Sequence, residues 1–450
     1  MVLSIHPDAI VNFNKKGEEI LSLIADAKET NQAPSFPSQV FVSHSFKAHE
    51  IIGEMKYGES DFKGDEVSRY FEHCGKLVGF NGDNYIAFDR ICVAIQRIPS
   101  LREAISLKVV KDEVFEWIKL RHKDQISQSL LDFLLPRLES VIKETEVWIP
   151  IFGMEIESNF SVGRVLFQTI TKSMIDKWFT ELIKGKSDEE VNKLKEYFDK
   201  ERRQIQGFAA GTMILMADPV RVGEIALYEI ERMLNLLRFF EPTNFHPSIS
   251  SHCAILGKQH LQTTNFYRVE NGRIIGSTKS IIDKGSTHWR INNSFLEIMK
   301  LSGLDKLNSL LASEKSSELI TLVIDTLQTY SRAGLAKTYS DKLVYLLVAL
   351  ETLLLKDDSE SVQQNVGERL AFALEKETEK RKRIVKNFKD IYGMRSKFVH
   401  HGNNVDVEQV NTLSEFMMNT WRFLCLVINN TNSFQTKLQM INAIENIKFS

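Results

Sequence analysis

Apolar residues recur at helical spacing along the last third of the chain. Leu343, Leu346, Leu347, Leu350 and Leu354 follow the i, i+3, i+4, i+7 pattern of one buried helix face. A second stripe comprises Leu413, Phe416, Met417, Trp421, Leu424 and Ile428. Proline, which interrupts helices, does not occur after Pro247. The pattern predicts helices over residues 317–331, 341–356, 362–392, 407–429 and 434–447, with turns at 357–359 and 401–404.

The preceding part of the chain alternates between strand and helix patterns. Short runs of apolar residues predict strands at 146–152, 163–167 and 208–216. Amphipathic runs predict helices at 188–206 and 220–240, and Asn271-Gly272 favours a hairpin within 266–275. Residues 1–145 carry weaker patterns, which predict helices at 15–30 and 124–145 and a loop at 33–38. The predicted fold class is therefore α+β, with an unassigned N-terminal region (1–145), an α+β middle region (146–305) and an all-α C-terminal bundle (306–450).

The composition is that of a globular protein with more than one domain. The chain has 450 residues, of which 43% are hydrophobic and 26% are charged. A net charge of −2 gives no global nucleic-acid footprint, so any RNA site must be a local feature. Four widely spaced cysteines form no Cys-x-x-Cys pair, which favours thiols in a core and a reducing compartment. The longest near-continuous apolar run, 343–355, is shorter than the ~20 residues of a membrane span, so we expect a soluble cytoplasmic protein with no membrane partner.

An arginine and a histidine near the C-terminus are the strongest candidates for chemistry. Arg395 offers a permanent cation whose planar fork of donors matches phosphate oxygens. His400 offers a group that moves protons near neutral pH. Because the 2′-hydroxyl of RNA is its own nucleophile, such a pair can cut RNA without a metal. On a regular helix, however, the two side chains lie about 140° apart, so one phosphate needs a distorted helix or a second copy of the motif. Tyr392, Ser396 and His401 flank the pair as candidate supporting residues.

A basic cluster precedes the pair on the same predicted helix. Its members, which are candidate RNA-binding residues, are Lys380, Arg381, Lys382, Arg383, Lys386 and Lys389. The alternative interpretation is a solvated helix face balanced by Glu375, Glu377 and Glu379. A phosphate-binding surface beside a phosphate-cleaving centre is physically coherent, and the two interpretations stay open. No acidic cluster has metal-ligand spacing, so neither a metal nor another cofactor is expected.

Ordered motifs across residues 316–428 resemble the HEPN superfamily, and its Apea-like branch in particular. The matching segments are Thr329-Tyr330-Ser331-Arg332, Asp341-Lys342-Leu343-Val344, Ala349-Leu350-Glu351-Thr352, Glu368-Arg369-Leu370-Ala371, and the stretch from Tyr392 through Arg395 and His400 to Gly402. They cover about a quarter of the chain, all in a proline-free helical frame. The resemblance implies that the C-terminal part is an all-α HEPN helical bundle.

The resemblance also implies an activity. HEPN ribonucleases act without metal as homodimers whose Arg-x-x-x-x-His motifs meet at the interface, which would resolve the divergence of the pair. On this basis His400 handles the proton of the 2′-hydroxyl or of the leaving 5′-oxygen, Arg395 stabilises the phosphorane, and Glu351 orients Arg395 or the partner's motif. Ser396 departs from the Asn, Asp or His that many catalytic members place after the arginine, which leaves a non-catalytic module for RNA binding or dimerisation as the alternative. We expect a toxin-like effector in anti-phage defence, whose N-terminal region senses a phage-derived trigger or restrains the nuclease.

Overall fold

The structure is a computed structural model, and its described part forms two compact units. The first unit comprises Met1–Val147, Trp178–Arg203 and Ile214–Ala226, and the second comprises Trp148–Lys177, Gln204–Met213 and Leu227–Ser450. The residues described are 3–26, 62–63, 66–258, 263–270, 273–281, 289–313, 317–402 and 404–448. The fold class α+β is confirmed, because strands occur in the N-terminal and middle parts and helices form the C-terminal part. The three-way division at residues 145 and 305 stays a prediction.

The N-terminal part packs helices beside a small antiparallel sheet. Its elements are α1 (Pro7–Leu21), β1 (Ala25–Asp26), β2 (Phe62–Lys63), β3 (Glu66–His73), β4 (Lys76–Asn81), α2 (Gly82–Gln96), α3 (Pro99–Ala104), α4 (Leu107–His122) and α5 (Leu130–Val141). The strands lie in the order β1-β4-β3-β2. Phe80 and Phe88 stack at 5.4 Å between centroids, and both pack against Phe115 in a core that also buries Trp117. Aromatic packing between distant segments therefore holds this part together.

Both helices predicted for the N-terminal part need correction. The prediction at 15–30 is wrong in its bounds, because α1 begins at Pro7, a residue suited to a first helical turn, and ends at Leu21. The prediction at 124–145 starts too early, because Asp124 adopts a left-handed φ of 54° after α4. It also ends too late, because β5 already begins at Lys143. The predicted loop at 33–38 and the end of the first predicted helix, 27–30, lie outside the described residues.

The middle part contains a five-stranded sheet with the order β10-β5-β9-β8-β7. Its elements are β5 (Lys143–Phe152), β6 (Met154–Ile156), β7 (Phe160–Val162), β8 (Val165–Thr169), α6 (Lys172–Leu182), α7 (Asp188–Ile205), β9 (Ala209–Ala217), α8 (Pro219–Leu237), β10 (Ala254–Ile255), β11 (Thr263–Glu270), β12 (Arg273–Ile281) and β13 (Trp289–Ile291). The three predicted strands and two predicted helices are confirmed, although the last turn of the second helix is a 3-10 helix, Arg238–Phe240. β11 pairs with β12 antiparallel up to Glu270↔Arg273, as a hairpin requires, while Asn271-Gly272 itself lies outside the described residues.

From Asn293 onward the described chain is helical. The helices are α9 (Asn293–Leu301), α10 (Leu304–Leu311), α11 (Glu318–Leu335), α12 (Tyr339–Leu354), α13 (Val362–Leu374), α14 (Thr378–His401), α15 (Val410–Asn430) and α16 (Lys437–Lys448). The leucine stripe predicted around Leu350 is buried on α12, and the stripe around Phe416 is buried on α15, except that Trp421 is only half-buried. The all-α character of the C-terminal part is confirmed. Among the described residues, no helix combines the length and the apolarity needed to cross a membrane.

The predicted helix at 362–392 is wrong, because the chain forms two helices there. Glu375 and Glu377 both adopt extended backbone angles, with ψ values of 146° and 130°. The Glu375 carbonyl accepts a hydrogen bond from Arg381 Nε at 2.8 Å, and its carboxylate accepts one from Arg422 at 2.8 Å. These contacts stabilise the break, so α13 and α14 pack against each other. The second helix also continues further than predicted, through His401, so the predicted turn at 401–404 begins only at Gly402.

The expectation that the cysteines are core residues holds for only some of them. Cys92 and Cys253 are buried, and burial raises the pKa of both thiols. Cys425 is half-buried, and burial raises the pKa of its thiol to about 12. Cys74 is exposed, because it lies in the turn between β3 and β4 with a left-handed φ of 49°. For Cys74 the expectation is therefore wrong.

A buried arginine fastens three of the C-terminal helices together. Arg369 on α13 is 4% exposed and donates to the carboxylates of Glu360 and Glu445 at 2.6 Å and to the carbonyl of Leu354 at 2.6 Å. The hydrogen bonds from Arg369 lower the pKa of the Glu360 carboxyl to about 2. The motif residue Arg369 thus joins the end of α12 to α13 and α16.

We expect Arg369→Ala to reduce the free energy of unfolding by about 3 kcal/mol, the low end of the cost of breaking a buried ion pair, because the two carboxylates left without their cation are only partly buried. Since the pKa of Glu360 is depressed in the folded state, the wild-type interaction stabilises fully above about pH 4.5 and is lost as the pH falls toward 2. Urea unfolding at pH 7 and pH 3 measures both effects, and the acid sensitivity should shrink in the variant. Arg383→Ala, which removes an exposed pair, is the matched control and should change little. Equal unfolding curves for wild type and Arg369→Ala would contradict this assignment.

Candidate functional site

One helix carries both candidate catalytic side chains. α14 buries an apolar stripe against the neighbouring helices, which fixes its rotation about its own axis. It ends after His401 because Gly402 adopts a left-handed φ of 69°, and the Gly402 amide donates to the Phe398 carbonyl at 2.9 Å. Arg395 and His400 lie in the last two turns, and the segment is α-helical throughout. The helix therefore carries no irregularity that would rotate one side chain toward the other.

Arg395 lies at the edge of the buried face of α14, where it is half-buried. Its guanidinium carbon is 5.8 Å from the centroid of the Tyr392 ring, within cation–π range. Tyr392 stacks against Phe388, with centroids 6.5 Å apart and 21° between the ring planes. Burial raises the pKa of the Glu351 carboxyl on α12, and the positive charge of Arg395 opposes that rise. The structure thus places two predicted supporting residues, Tyr392 and Glu351, around Arg395.

His400 lies on a different face of the same helix. Its side chain is exposed, as is that of His401, and the two ring centroids are 6.5 Å apart. Five residues of regular helix place Arg395 and His400 about 140° apart around the axis. Ser396 is half-buried. Around the helix axis it lies about 40° from His400, so it is closer to His400 in angle than Arg395 is. Within one chain, therefore, the helix does not bring Arg395 and His400 onto one phosphate.

The segment after His400 is fastened to the start of α12. Ser340 is buried there, and its hydroxyl accepts a hydrogen bond from the Val405 amide at 3.1 Å and donates one to Asn404 Oδ1 at 3.4 Å. A polar cavity of about 320 Å³ at this end of α14 is lined by Met394, Lys397, Asn404, Val405, Asp406 and Gln409. The two hydrogen bonds of Ser340 connect the segment that follows α14 to the start of α12, close to the end of the helix that carries His400.

Four of the six basic-cluster residues interact with groups of the same chain. Three ion pairs join Lys380 to Glu377 at 2.9 Å, Lys382 to Glu379 at 2.7 Å and Arg383 to Glu415 at 2.7 Å. Arg381 is half-buried, and its guanidinium carbon lies 4.1 Å from the centroid of the Phe372 ring. Because Arg381 also donates a hydrogen bond to the Glu375 carbonyl, it stabilises the break between α13 and α14. For these residues the alternative interpretation, a face balanced by acids, gains support.

Lys386 and Lys389 differ from the rest of the basic cluster. Both are exposed, and within the described part of the chain neither side chain takes part in an ion pair or a hydrogen bond. Lys397, which the sequence reading did not include, is exposed in the same way and lies closer to His400. The i, i+4 spacing of Lys389, Gly393 and Lys397 was the sequence signal that could have found it.

One buried charged cluster was not indicated by the sequence. Arg238 Nε donates to the Cys253 carbonyl at 2.9 Å, and Lys342 Nζ donates to the Ile249 carbonyl. Burial raises the pKa of the nearby Glu241 carboxyl to about 7, although both cations oppose the rise. These groups tie residues 238–253 to α12. Among the residues that the structure describes, no three or more His, Cys, Asp or Glu side chains are placed to hold a metal ion.

No protein-family model, curated protein or solved structure matches this chain. The HEPN resemblance therefore stays a prediction from motifs.

Proposed function

We propose that this chain is a metal-independent endoribonuclease of the HEPN type, in which Arg395 and His400 act on one phosphate of an RNA strand. The observation that carries the proposal is the end of α14. There a guanidinium 5.8 Å from the centroid of the Tyr392 ring, whose charge acts on the Glu351 carboxyl, is followed five residues later by an exposed imidazole. A fixed cation and an accessible proton carrier are the two groups that cleavage by the 2′-hydroxyl requires.

In the proposed reaction the neutral imidazole of His400 accepts the proton of the ribose 2′-hydroxyl. The 2′-oxygen forms a bond to the adjacent phosphorus, and the bond from phosphorus to the 5′-oxygen breaks as that oxygen takes up a proton from a solvent water. Arg395 donates hydrogen bonds to the phosphoryl oxygens, whose negative charge rises in the transition state. Tyr392 and Glu351 act on the substrate only through Arg395, by limiting where its guanidinium lies. The products carry a 2′,3′-cyclic phosphate and a 5′-hydroxyl.

The proposed active form is a homodimer through the C-terminal helices. The angle of about 140° between the two side chains on a regular helix means that a second chain has to supply one of them. Two-fold dimers are the commonest assemblies, and a two-fold axis near the end of α14 would place Arg395 of each chain opposite His400 of the other. Such a dimer has two equivalent sites.

We also propose that residues 1–300 regulate the nuclease. An unrestrained ribonuclease would destroy the RNA of its own host, and the described residues of this region bury hydrophobic cores, which a passive tail would not do. A toxin-like effector in phage defence, released by a phage-derived trigger, is the biological role that fits.

A second candidate function is a non-catalytic module that binds RNA or only dimerises. Two observations favour it: Ser396 follows Arg395, and three of the six basic-cluster residues form ion pairs within the chain. Serine still donates and accepts a hydrogen bond, so it is compatible with catalysis. RNA cleavage by the purified chain separates the two functions.

A mixed dimer of two variants, each inactive by itself, tests the proposed site. Arg395→Ala and His400→Ala chains, given different affinity tags, are co-expressed, and the particle that carries both tags is purified. One of its two sites then keeps an intact Arg395 and an intact His400, so RNA cleavage should return to about half the wild-type rate. Light scattering should report twice the chain mass of 51.7 kDa.

The homogeneous variants, each carrying both tags, are the controls and should stay inactive. If the doubly tagged particle is as inactive as they are, Arg395 and His400 do not act across two chains. A wild-type monomer that cleaves at full rate would contradict the dimer as well.

A further inference from the structure

The exposed face of α14 carries a basic row that ends at His400, and three of its four lysines have no ion pair within the described residues. At about 100° per residue, Lys382 lies almost in line with His400, Lys389 lies about 20° away and Lys386 about 40° away. Lys397 lies about 60° away, on the same side of His400 as Lys386 and on the opposite side from Lys389. We call these four lysines together with His400 the basic face of α14. The paired residues Lys380, Arg381 and Arg383 lie about 100° or more from His400, outside this face.

A glycine occupies the middle of the basic face. Gly393 lies about 20° from His400 around α14 and about 6 Å along the axis from both Lys389 and Lys397. A Cβ at this position would meet no atom within 4 Å, so packing in the chain does not require a glycine. By contrast, a Cβ at the helical glycines Gly334 and Gly367 would lie 3.0 and 3.1 Å from neighbouring side chains.

Glycine inside a helix destabilises it relative to alanine, because it loses more backbone entropy on folding. At Gly393 no close contact within the chain explains why a destabilising glycine is present. A glycine here leaves the helix backbone bare between two cations, on the side where His400 is exposed. The bare backbone lets a bound molecule approach more closely than any side chain would allow.

The charge of the basic face decides which molecule fits. Lys386, Lys389 and Lys397 have no ion pair within the described residues, and the pair of Lys382 with Glu379 is exposed and weak. On α14 itself, the exposed carboxylates nearest the basic face around the helix are Glu379 and Asp390, about 60° and 80° from His400, and Glu379 is already paired with Lys382. A second copy of the same face would meet it with like charge, which is repulsive. A polyanion is attracted, and it releases counterions on binding.

We propose that a single strand of RNA runs along the basic face of α14, and that a nucleotide flanking the cleaved bond lies directly against the backbone of Gly393. This inference rests on the proposed function. Single-stranded RNA is favoured over a duplex, because attack by the 2′-oxygen needs that atom, phosphorus and the leaving 5′-oxygen in line. The regular stacking of a duplex prevents that alignment, whereas a free strand can be splayed on a protein surface.

The test compares Gly393→Ala with Gly223→Ala in the full chain. Gly223 is the matched control, because it is also an interior helical glycine with no atom within 4 Å of a built Cβ, on α8. Both variants should melt at or slightly above the wild-type temperature. Binding to a 2′-O-methylated single-stranded RNA, which cannot be cleaved, should weaken about tenfold in Gly393→Ala only. Cleavage of the unmethylated strand should fall by a similar factor.

Lysine variants test the path of the strand. Lys389→Ala and Lys397→Ala should each lower the salt dependence of RNA binding, by about 0.7 in the slope of log K against log salt. Lys380→Ala, whose lysine is paired and lies off the basic face, should leave the slope unchanged.

The outcomes separate this inference from the proposed function. If wild type cleaves RNA and Gly393→Ala binds and cleaves like wild type, the inference is overturned and the function stands. If Gly393→Ala turns monomeric in light scattering, the open space belongs to a second copy, which also overturns it. Equal affinity for duplex RNA, with the same loss in Gly393→Ala, would overturn the choice of a single strand. If wild type cleaves no RNA, the proposed function fails, and the inference fails with it.

Discussion

His400→Ala should lower RNA cleavage by roughly 10²–10⁴-fold, because it removes the group that carries the proton in the transition state. The melting temperature should not change, since the side chain is exposed at the end of α14. Arg395→Ala should cost roughly 10²–10³-fold, the effect of removing one donor to a developing anion. Rates are measured on one labelled RNA under single-turnover conditions, so that substrate binding and the chemical step are separated.

Two further variants make the assignment of Arg395 and His400 specific. Arg395→Lys keeps the charge but loses the planar fork, so it should recover only part of the rate. His6→Ala removes an exposed histidine that has no proposed role, and it should cleave like wild type. Wild-type rates in His400→Ala, or a loss of rate in either alanine variant that follows a fall in melting temperature, would contradict the assignment.

The sequence predicted the C-terminal helices well where a long apolar stripe dominates, as on α12 and α15. The prediction of a single helix over residues 362–392 was wrong at Glu375, because Glu-Lys-Glu is a good helical sequence by itself. The break between α13 and α14 depends on hydrogen bonds from Arg381 and Arg422, and these contacts cannot be predicted from the local sequence. The N-terminal part was poorly predicted for the same reason, since contacts such as that between Phe80 and Phe115 join segments far apart in the chain.

For the candidate site, the geometry of a regular helix was the most useful basis for prediction. The divergence of Arg395 and His400 follows from their spacing alone, and the structure has the regular helix that produces it. The partners of the basic residues were not predictable. Only the fold shows that Glu415 on α15 reaches Arg383, and that Lys386 and Lys389 stay without an ion pair in the described chain. Sequence reading therefore identified the cluster but not the subset of it that faces the same way as His400.

RNA that lacks a free 2′-hydroxyl at the cut position should not be cleaved at all. In the proposed reaction this oxygen is the nucleophile, so a 2′-O-methyl group at one nucleotide removes the attacking group while leaving the phosphate, base and charge in place. DNA of the same sequence should be inert for the same reason. An enzyme that uses a metal-bound water as nucleophile would cleave the methylated strand, since water replaces the 2′-oxygen.

The most direct measurement is the identity of the RNA ends made by the purified full-length chain in excess EDTA. The proposed mechanism predicts undiminished cleavage, with a 2′,3′-cyclic phosphate on one product and a 5′-hydroxyl on the other, and no product from RNA methylated at the cut position. Mass spectrometry of the two fragments distinguishes these ends from a 3′-hydroxyl and a 5′-phosphate. Activity that EDTA abolishes and magnesium restores, or fragments that carry 5′-phosphates, would contradict the account.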